Sequence, residues 1–328
     1  MTKLNSHSIN SRTLTTFKNF TEELTLHKHK NYLFDLDYLG VMDLRGEKTL
    51  EFLQGQLTAD LRMVSDIHMM QSAQCNLKGR ILSLLDVISW DGIKIILPKD
   101  LIADTQSSLA KTAMLSRVAV TENNRCKVLG FYLQNQDDVL PYSIFLPDNV
   151  YAQTYSSSYC YYHLGEGFYI FIVKTDIIEE FCSLFVDVKQ YLGSLTWHSL
   201  RLAKKQLDIY PESRGLFLPH RLDLHQTPLL SFDKGCYKGQ EIIARTHYRA
   251  TLKHELKLYK IITEQKIYSG QKLYRINEDT EVGELVDYSI LDHNTYLIAI
   301  SSLKQNDDLI RFEGNNDTIK LIAMSKLT

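Results

Sequence analysis

The segment SFDKGCYKGQEIIARTHYR, residues 231–249, restricts the fold and the function of this chain more than any other stretch. At its centre Cys236 lies between Lys234 and Lys238, and each of these lysines is followed by a glycine. Nearby cations favour the ionised thiolate, which is the form of cysteine that attacks, exchanges or binds soft metal ions. A cysteine can also fill a gap beneath a turn as a small apolar residue. We favour a functional thiol, because the segment combines an unusual backbone with an unusual local charge.

The two glycines of this segment precede a predicted helix. Gly235 and Gly239 permit backbone conformations and close approaches that a side chain would block. The letters GQEIIAR predict a helix start with Glu241 in its first turn, where the helix dipole favours a carboxylate. Cys236 would then lie just before a helix N-terminus, which is a second source of positive potential. We therefore predict Cys236 as the catalytic residue.

Length and composition set the class of protein. A chain of 328 residues, 44% hydrophobic and 23% charged, is typical of a globular protein with two or three packed units. The net charge of -2 gives no general reason to expect nucleic-acid binding. No apolar run approaches the roughly 18 residues of a membrane span, and the first residues lack the apolar centre of a secretory signal. We expect a cytoplasmic protein with neither a membrane nor DNA as a partner.

The number and spacing of the cysteines argue against disulfide bonds and against a cysteine metal site. Five cysteines are present, an odd number, and no two are spaced as C-x-x-C. We therefore expect no disulfide framework and no metal site made by this chain alone. Four of them are expected to be buried thiols that act as small apolar residues, namely Cys75, Cys126, Cys160 and Cys182.

Hydrophobic periodicity predicts an α+β fold. Residues 47–61, EKTLEFLQGQLTADL, have leucines at helical spacing, and a β-meander follows over 71–97 with a hairpin turn at Asp91-Gly92. After residue 251 the chain changes to short alternating segments separated by Gly, Asn and Asp, which predict a small β-barrel or sandwich. Further helices are predicted over 17–27, 98–113, 177–192 and 195–207.

Four motifs resemble those of the YgfZ-type folate-binding proteins, relatives of the glycine-cleavage aminomethyltransferase (T-protein). The octapeptide KGCYKGQE, residues 234–241, resembles the signature of that family. FLQGQLTADL (52–61), CNLKGRI (75–81) and LSRV (115–118) resemble its other motifs and occur in the same order. The resemblance implies a three-lobed, T-protein-like α+β fold with a C-terminal β-barrel and a central channel that binds tetrahydrofolate or a derivative.

The same resemblance implies lobe boundaries and a role. Residues 1–120 would form the N-terminal α+β part of the folate-binding lobes, 121–250 a second α+β lobe with the octapeptide, and 251–328 the barrel. The implied role is an accessory one, in making or maintaining iron–sulfur enzymes that include those modifying tRNA. The implied partners are a reduced folate and iron–sulfur assembly or client proteins, with tRNA only an indirect partner.

The cofactor-binding residues are also implied by the resemblance. Trp197 lies at the spacing where the family has a folate-contacting tryptophan, whereas a second expected tryptophan is missing and Tyr38 is the nearest aromatic candidate beside Phe34. The motifs and the helix after them supply the remaining predicted cofactor-binding residues, which are Lys234, Gly235, Tyr237, Gly239, Gln240, Glu241, Arg245, Lys78, Arg80, Gln56 and Asp60.

Physical reasoning makes a folate site plausible and leaves other interpretations open. A pterin needs an aromatic wall and a few polar groups, and its glutamate tail needs cations, for which Arg201, Arg245, Arg249 and Lys253 are candidates. Trp197 is equally well interpreted as a core anchor on a helix. Residues 245–253 are also consistent with an ordinary solvated basic face.

Two other functions fit parts of the sequence. A true aminomethyltransferase needs a carboxylate beside the transferred methylene group and a partner carrier protein, and the T-protein lacks a cysteine where this chain has Cys236. An RNA-binding or scaffold protein in tRNA modification would use some of the 19 tyrosines for stacking. The near-neutral charge argues against strong binding to phosphates.

Overall fold

A computed structural model of the chain describes residues 4–136, 140, 144–304 and 308–324. The described part is a mixture of helices and antiparallel sheets. An N-terminal hairpin is formed by β1 (Asn5–Ile9) and β2 (Arg12–Thr16). The helices are α1 (Phe20–Glu23), α2 (Thr49–Gln54), α3 (Ile102–Leu115), α4 (Ile178–Asp187), α5 (Ser194–Ala203) and α6 (Gln240–Arg249).

A five-stranded antiparallel sheet forms the first large unit. One face of it, which includes Met42, Leu85 and Ile95, joins a core that also contains residues of α2, α3 and α6. The strands run in the order β5-β6-β7-β4-β8. Their bounds are β4 (Leu39–Arg45), β5 (Met70–Cys75), β6 (Ile81–Ser89), β7 (Ile93–Pro98) and β8 (Ala119–Glu122).

A six-stranded sheet forms the second unit and takes one strand from the N-terminal part of the chain. The strand β3 (Tyr32–Asp35) pairs antiparallel with β9 (Cys126–Tyr132) and parallel with β13 (Tyr191–Leu192). The order is β10-β11-β12-β9-β3-β13, and aromatic residues of β9 and β12 pack against α4. The other strands are β10 (Gln153–Tyr155), β11 (Tyr159–Gly165) and β12 (Phe168–Lys174).

The C-terminal unit is a seven-stranded antiparallel sheet that curls into a barrel. Its order is β19-β18-β15-β16-β17-β14-β20, and its two edge strands, β19 (Ile319–Lys320) and β20 (Ile322–Ala323), are separated in the chain by Leu321 alone. Because residues that are close together in the chain lie in the two opposite edge strands, the sheet must bend back on itself. The other strands are β14 (His254–Ile262), β15 (Lys272–Arg275), β16 (Glu281–Asp292), β17 (Thr295–Leu303) and β18 (Leu309–Phe312).

A buried arginine connects distant parts of the chain at the centre. Arg12 on β2 is 4% exposed. Its guanidinium donates two hydrogen bonds to Asp100, at 2.8 and 2.9 Å, and one to Asp208 at 2.9 Å. It also lies 4.4 Å from the ring centroid of Tyr210. The buried cation is thus satisfied by two carboxylates and an aromatic face, which fixes the hairpin onto the rest of the fold.

The predicted α+β class with a C-terminal barrel is confirmed by this architecture. The lobe boundaries at 120 and 250 stay predictions, and β3 shows that the N-terminal residues contribute to two different sheets. The predicted helix over 47–61 ends at Gln54 instead, because Leu57 forms a β-bridge with Gln74 and the Thr58 N–H donates to the Ala73 carbonyl oxygen at 3.1 Å.

Candidate functional site

Lys234 fastens the KGCYKGQE segment to the end of α2. Its side chain is buried, and Nζ donates hydrogen bonds to the carbonyl oxygens of Gln54, Leu57 and Ala59 at 2.8, 2.7 and 2.7 Å. An ammonium has three N–H groups, so these bonds use all of them. Burial lowers the pKa of Lys234 to about 8, while the three carbonyl acceptors favour the charged form. The geometry supports a structural clamp, and folate contact by Lys234 would require one of these bonds to break.

Two glycines let the octapeptide touch the CNLKGRI turn. Gly239 has a φ of 86°, and a Cβ added there would collide with the carbonyl oxygen of Asn76 and lie 3.0 Å from the Cα of Gly79. Gly79 has a φ of 68°, and its added Cβ would lie 3.0 Å from Cγ1 of Ile243 on α6. Side chains at these positions would force the two turns apart. Residues 75–81 therefore lie directly against the start of α6.

The turn at 75–81 presents two cations at the surface. Lys78 and Arg80 are both exposed. The Arg80 guanidinium donates a hydrogen bond to the carbonyl oxygen of Leu216. Both residues thus lie beside the octapeptide.

The FLQGQLTADL motif completes the arrangement. The Lys238 N–H donates to the carbonyl oxygen of Gly55 at 3.0 Å. The Asp60 carboxylate accepts hydrogen bonds from Gln54 at 2.9 Å and from Arg62, and the bonds from Arg62 hold the pKa of Asp60 well below its usual range. Asp60 is therefore occupied in stabilising its own loop. Gln56 lines a shallow depression formed by residues of α2 and α3.

Cys236 is exposed, in contrast to the other four cysteines. Cys75, Cys160 and Cys182 are buried and Cys126 is half-buried. An exposed thiol in a segment held from both sides is accessible to another molecule, which excludes the gap-filling interpretation for Cys236. The predicted conformational need for Gly235 was wrong, because its φ lies outside the left-handed region and no atom lies within 4 Å of an added Cβ.

The remaining octapeptide residues support the start of α6. Tyr237 is buried, the ammonium of Lys234 lies 5.0 Å from its ring centroid, and burial raises the pKa of its hydroxyl. The Gln240 side-chain oxygen accepts from the Tyr237 N–H at 3.3 Å, and the Gln240 N–H donates to the Tyr237 carbonyl at 3.1 Å. Glu241 and Arg245 are exposed on α6 and are free to meet a ligand or a partner protein.

Trp197 and Tyr38 lie in the interior of the fold. Trp197 is 0% exposed, its ring covers Gly130, and its centroid lies 5.4 Å from Phe34 and 5.2 Å from Phe168. Its indole N–H has no hydrogen-bond partner among the described residues. Tyr38 is also buried, which raises the pKa of its hydroxyl. This packing supports the core-anchor interpretation of Trp197, and folate contact by either ring stays a prediction.

A central cavity of about 440 Å³ lies where the three large sheets meet. The family resemblance implies a central channel, but the motifs do not predict the residues that line this cavity. The five-stranded sheet contributes Gln71 and Asp86, the six-stranded sheet contributes Ile170, the barrel contributes Leu256, and α5 contributes Arg201. Arg201 is one of the cations that the sequence offers for the glutamate tail of a folate. The sequence signal for Asp86 is that it is the one charged residue in the strand ILSLLDVIS.

The polar floor of this cavity is a hydrogen-bonded group around Asp86. Gln71 and Asp86 face each other across β5 and β6, and the Gln71 amide donates to Asp86 at 3.0 Å. The Tyr162 hydroxyl donates to the second carboxylate oxygen at 2.7 Å. Burial raises the pKa of Asp86. A half-buried carboxyl, an amide and an arginine in one cavity can bind the N–H groups and the anionic part of a flat polar ligand.

The predicted site residues lie outside this cavity, but the chain connects the two places. None of the described residues lining the cavity is among the fourteen predicted site residues. However, Leu229 lines the cavity, its carbonyl oxygen accepts from the Thr58 hydroxyl at 2.6 Å, and the Ser231 N–H donates to the Thr58 carbonyl at 3.0 Å. The loop before Cys236 therefore forms part of the cavity wall.

Two general features complete the description. No group of three or more His, Cys, Asp or Glu side chains suited to holding a metal ion occurs in the part of the chain that the structure describes. Within the same residues, no helix is both long enough and apolar enough to cross a bilayer.

Curated relatives align with about two thirds of the length of this chain. No model of a protein family matches the chain. It is 29% identical over 229 residues to tRNA-modifying protein YgfZ of Klebsiella pneumoniae (strain 342), covering 68% of this chain and 70% of that protein. It is 27% identical over 234 residues to tRNA-modifying protein YgfZ of Colwellia psychrerythraea (strain 34H), covering 69% and 71%. The predicted resemblance is confirmed.

A solved structure has the same fold. The crystal structure of glycine cleavage system aminomethyltransferase T from Bartonella henselae matches with a TM-score of 0.75, covering 99% of this chain and 95% of that one. At 15% identity the match shows the fold alone. The predicted T-protein-like architecture is thereby confirmed.

Proposed function

We propose that this chain is a YgfZ-type accessory protein that binds a reduced folate and supports the assembly or repair of iron–sulfur enzymes, including those that modify tRNA. The observation that carries the proposal is the exposed Cys236, held in a segment that is fastened to two other motifs. The relatives named tRNA-modifying protein YgfZ support the same role. The tRNA is an indirect partner, reached through the enzymes that are served, and the proposed location is the cytoplasm.

Cys236 is the functional thiol of this proposal. Its exposure gives the iron or sulfur of another protein access to the sulfur atom, and the buried clamp of Lys234 keeps the segment in one place. The described residues offer no cluster of metal ligands around it. Iron–sulfur clusters in proteins are held mainly by several cysteine thiolates, so the remaining ligands must come from a client or assembly protein.

The central cavity is the proposed site of tetrahydrofolate or a derivative. Its volume of about 440 Å³ lies within the range of small-molecule sites. Asp86 and Gln71 supply acceptors and a donor for the edge of a pterin ring. Arg201, Lys204 and Lys205 line the same cavity and are its cations for the carboxylates of a glutamate tail. Arg201 pairs with Asp208 at 3.7 Å and Lys204 with Glu166 at 2.8 Å, so a bound tail would exchange with these ion pairs. The donor set therefore fits a folate better than a purely apolar ligand.

Calorimetric titration with tetrahydrofolate tests the cofactor part of the proposal. The purified wild type should bind, Arg201→Gln should bind at least about tenfold more weakly, and Cys236→Ala should bind like the wild type. Lys111→Ala, which removes an exposed charge on α3, is the matched control. Absence of binding by the wild type, or unchanged affinity in Arg201→Gln with its fold intact, would remove the central cavity as the folate site.

A folate-dependent aminomethyl transfer is the second candidate. It is favoured by the half-buried carboxyl of Asp86 in the central cavity. Purified protein would then form methylene-tetrahydrofolate from an aminomethyl-lipoyl carrier protein, and Asp86→Asn would abolish the reaction. If no product forms with folate bound, the accessory role stands alone.

A further inference from the structure

A second cavity, of about 350 Å³, lies between the five-stranded and six-stranded sheets. Trp90 and Lys94 line it from the β6–β7 hairpin, and Arg125, Cys126 and Lys174 line it from the paired ends of β9 and β12. Its described lining shares no residue with that of the central cavity. It is therefore a separate site that the proposed folate chemistry does not use.

Two cations at this cavity have no side-chain partner among the residues that the structure describes. The side chains of Arg125 and Lys174 are exposed and make no hydrogen bond or ion pair with any residue that the structure describes. The third cation, Lys94, is 3% exposed. Its Nζ donates to Asp43 at 2.8 Å and to the carbonyl oxygen of Asp91 at 3.3 Å. Since an ammonium has three N–H groups, one of them remains for a ligand.

The strand register places Lys174 beside Cys126. Cys126 and Lys174 are directly opposite each other on β9 and β12, so their side chains project from the same side of the sheet. The Arg125 carbonyl accepts from the Thr175 N–H at 3.0 Å, which joins the two strand ends.

The carboxylates near the cavity are partly neutralised. Asp43 lies beneath the lining and bonds Lys94, and Asp91 pairs with Arg45 at 3.3 Å. Asp176 is exposed at the rim. The cations that face the space thus outnumber the unpaired carboxylates.

The aromatic wall favours recognition by charge rather than by stacking. Trp90 is 5% exposed, the ammonium of Lys94 lies 5.7 Å from its ring centroid, and its indole N–H donates to the Ser156 carbonyl oxygen at 2.9 Å. Its ring therefore offers no open face to a base or a pterin. A compact, highly charged group fits these features.

We propose that this cavity binds a phosphate group, either as the free anion or as the terminal monoester of a small metabolite. Arg125 and Lys174 contact the phosphate oxygens from the rim, and the free N–H of Lys94 contacts them from the floor. Guanidinium and ammonium groups are the side chains that bind phosphate most strongly. The half-buried thiol of Cys126 lies beside the bound anion and reports its presence.

Calorimetry at constant ionic strength tests the proposal, with inorganic phosphate and adenosine 5′-monophosphate as probes and chloride as the balancing anion. The wild type should bind at least one probe, and Arg125→Ala/Lys174→Ala should bind it at least about tenfold more weakly. Both substitutions are at exposed positions, so the fold should persist, which circular dichroism checks. Lys111→Ala, which removes a charge outside the lining, should bind like the wild type. Binding of adenosine monophosphate identifies a monoester site, and binding of inorganic phosphate alone identifies an anion site.

Alkylation of Cys126 is the second measurement, made in a Cys236→Ser background so that the exposed thiol does not react. The saturating probe should slow modification of Cys126 several-fold. The absence of heat with both probes would overturn the proposal. Unchanged affinity in the double variant would also overturn it, as would a rate of Cys126 modification that the probe does not change. None of these results depends on folate binding.

Discussion

Replacing Lys234 with methionine tests whether the octapeptide is held by the three-carbonyl clamp. Methionine keeps an unbranched, apolar side chain of similar length but donates no hydrogen bond. The carbonyl groups of Gln54, Leu57 and Ala59 would each lose a buried partner, at a cost of about 1 kcal/mol or more apiece. Removing a buried ammonium relieves part of its desolvation cost. We expect the free energy of unfolding to fall by about 3 kcal/mol.

Urea unfolding followed by circular dichroism measures this change, and Lys78→Met, at an exposed position in the neighbouring turn, is the matched control. The control should stay within about 0.5 kcal/mol of the wild type. Amide hydrogen exchange gives a local readout, because the Lys238 N–H bonded to Gly55 should exchange faster when the clamp is absent. A Lys234→Met protein as stable as the control, with unchanged exchange at Lys238, would refute the clamp.

Gly239→Ala should lower the free energy of unfolding by about 2 kcal/mol or more, because it combines a left-handed backbone with a collision, whereas Gly235→Ala should be nearly neutral; equal effects in thermal unfolding would contradict this. Burial lowers the pKa of His220 to about 4, so the unfolded chain takes up a proton first and stability should fall as pH decreases from about 6.5 towards 4. His220→Phe should flatten that dependence in urea titrations at several pH values, and an unchanged slope would contradict it. Arg12→Met should cost about 3–5 kcal/mol because it removes the 2.9 Å ion pair to buried Asp208, which then keeps only Arg201, at 3.7 Å; a wild-type unfolding midpoint would be inconsistent with that.

Local sequence patterns predicted helices and strands well where a single continuous segment determines the structure. The meander over 71–97, the helix after Gly239 and the alternating strands after 251 correspond to β5–β7, α6 and the barrel. The predicted ends of helices were wrong where contacts with residues distant in the sequence determine them. The helix predicted from Glu47 stops at Gln54, because the next residues pair with β5.

The candidate site was predictable only in part, for the same reason. The order of the motifs supported the family resemblance, and the contact of Gly239 with Gly79 shows that two of them meet in the fold. The role of Lys234 was not predictable. The three main-chain carbonyl groups that it binds belong to a distant motif, and the residues next to Lys234 in the sequence do not indicate that contact. The family resemblance implied a central channel but not its lining, since Asp86 and Leu256 are far apart in the chain and meet Arg201 only after three sheets have assembled.

The central claim is that the exposed sulfur of Cys236 carries the function, and the cluster content of iron–sulfur enzymes in cells tests it most directly. Cells that lack the chain would be supplied with the wild type, Cys236→Ala or Gly235→Ala at equal protein levels, and the iron and sulfide in a purified tRNA-thiolating iron–sulfur enzyme would be measured. We predict full occupancy with the wild type and Gly235→Ala, and a several-fold loss with Cys236→Ala. Wild-type occupancy in cells that contain only Cys236→Ala would contradict the account.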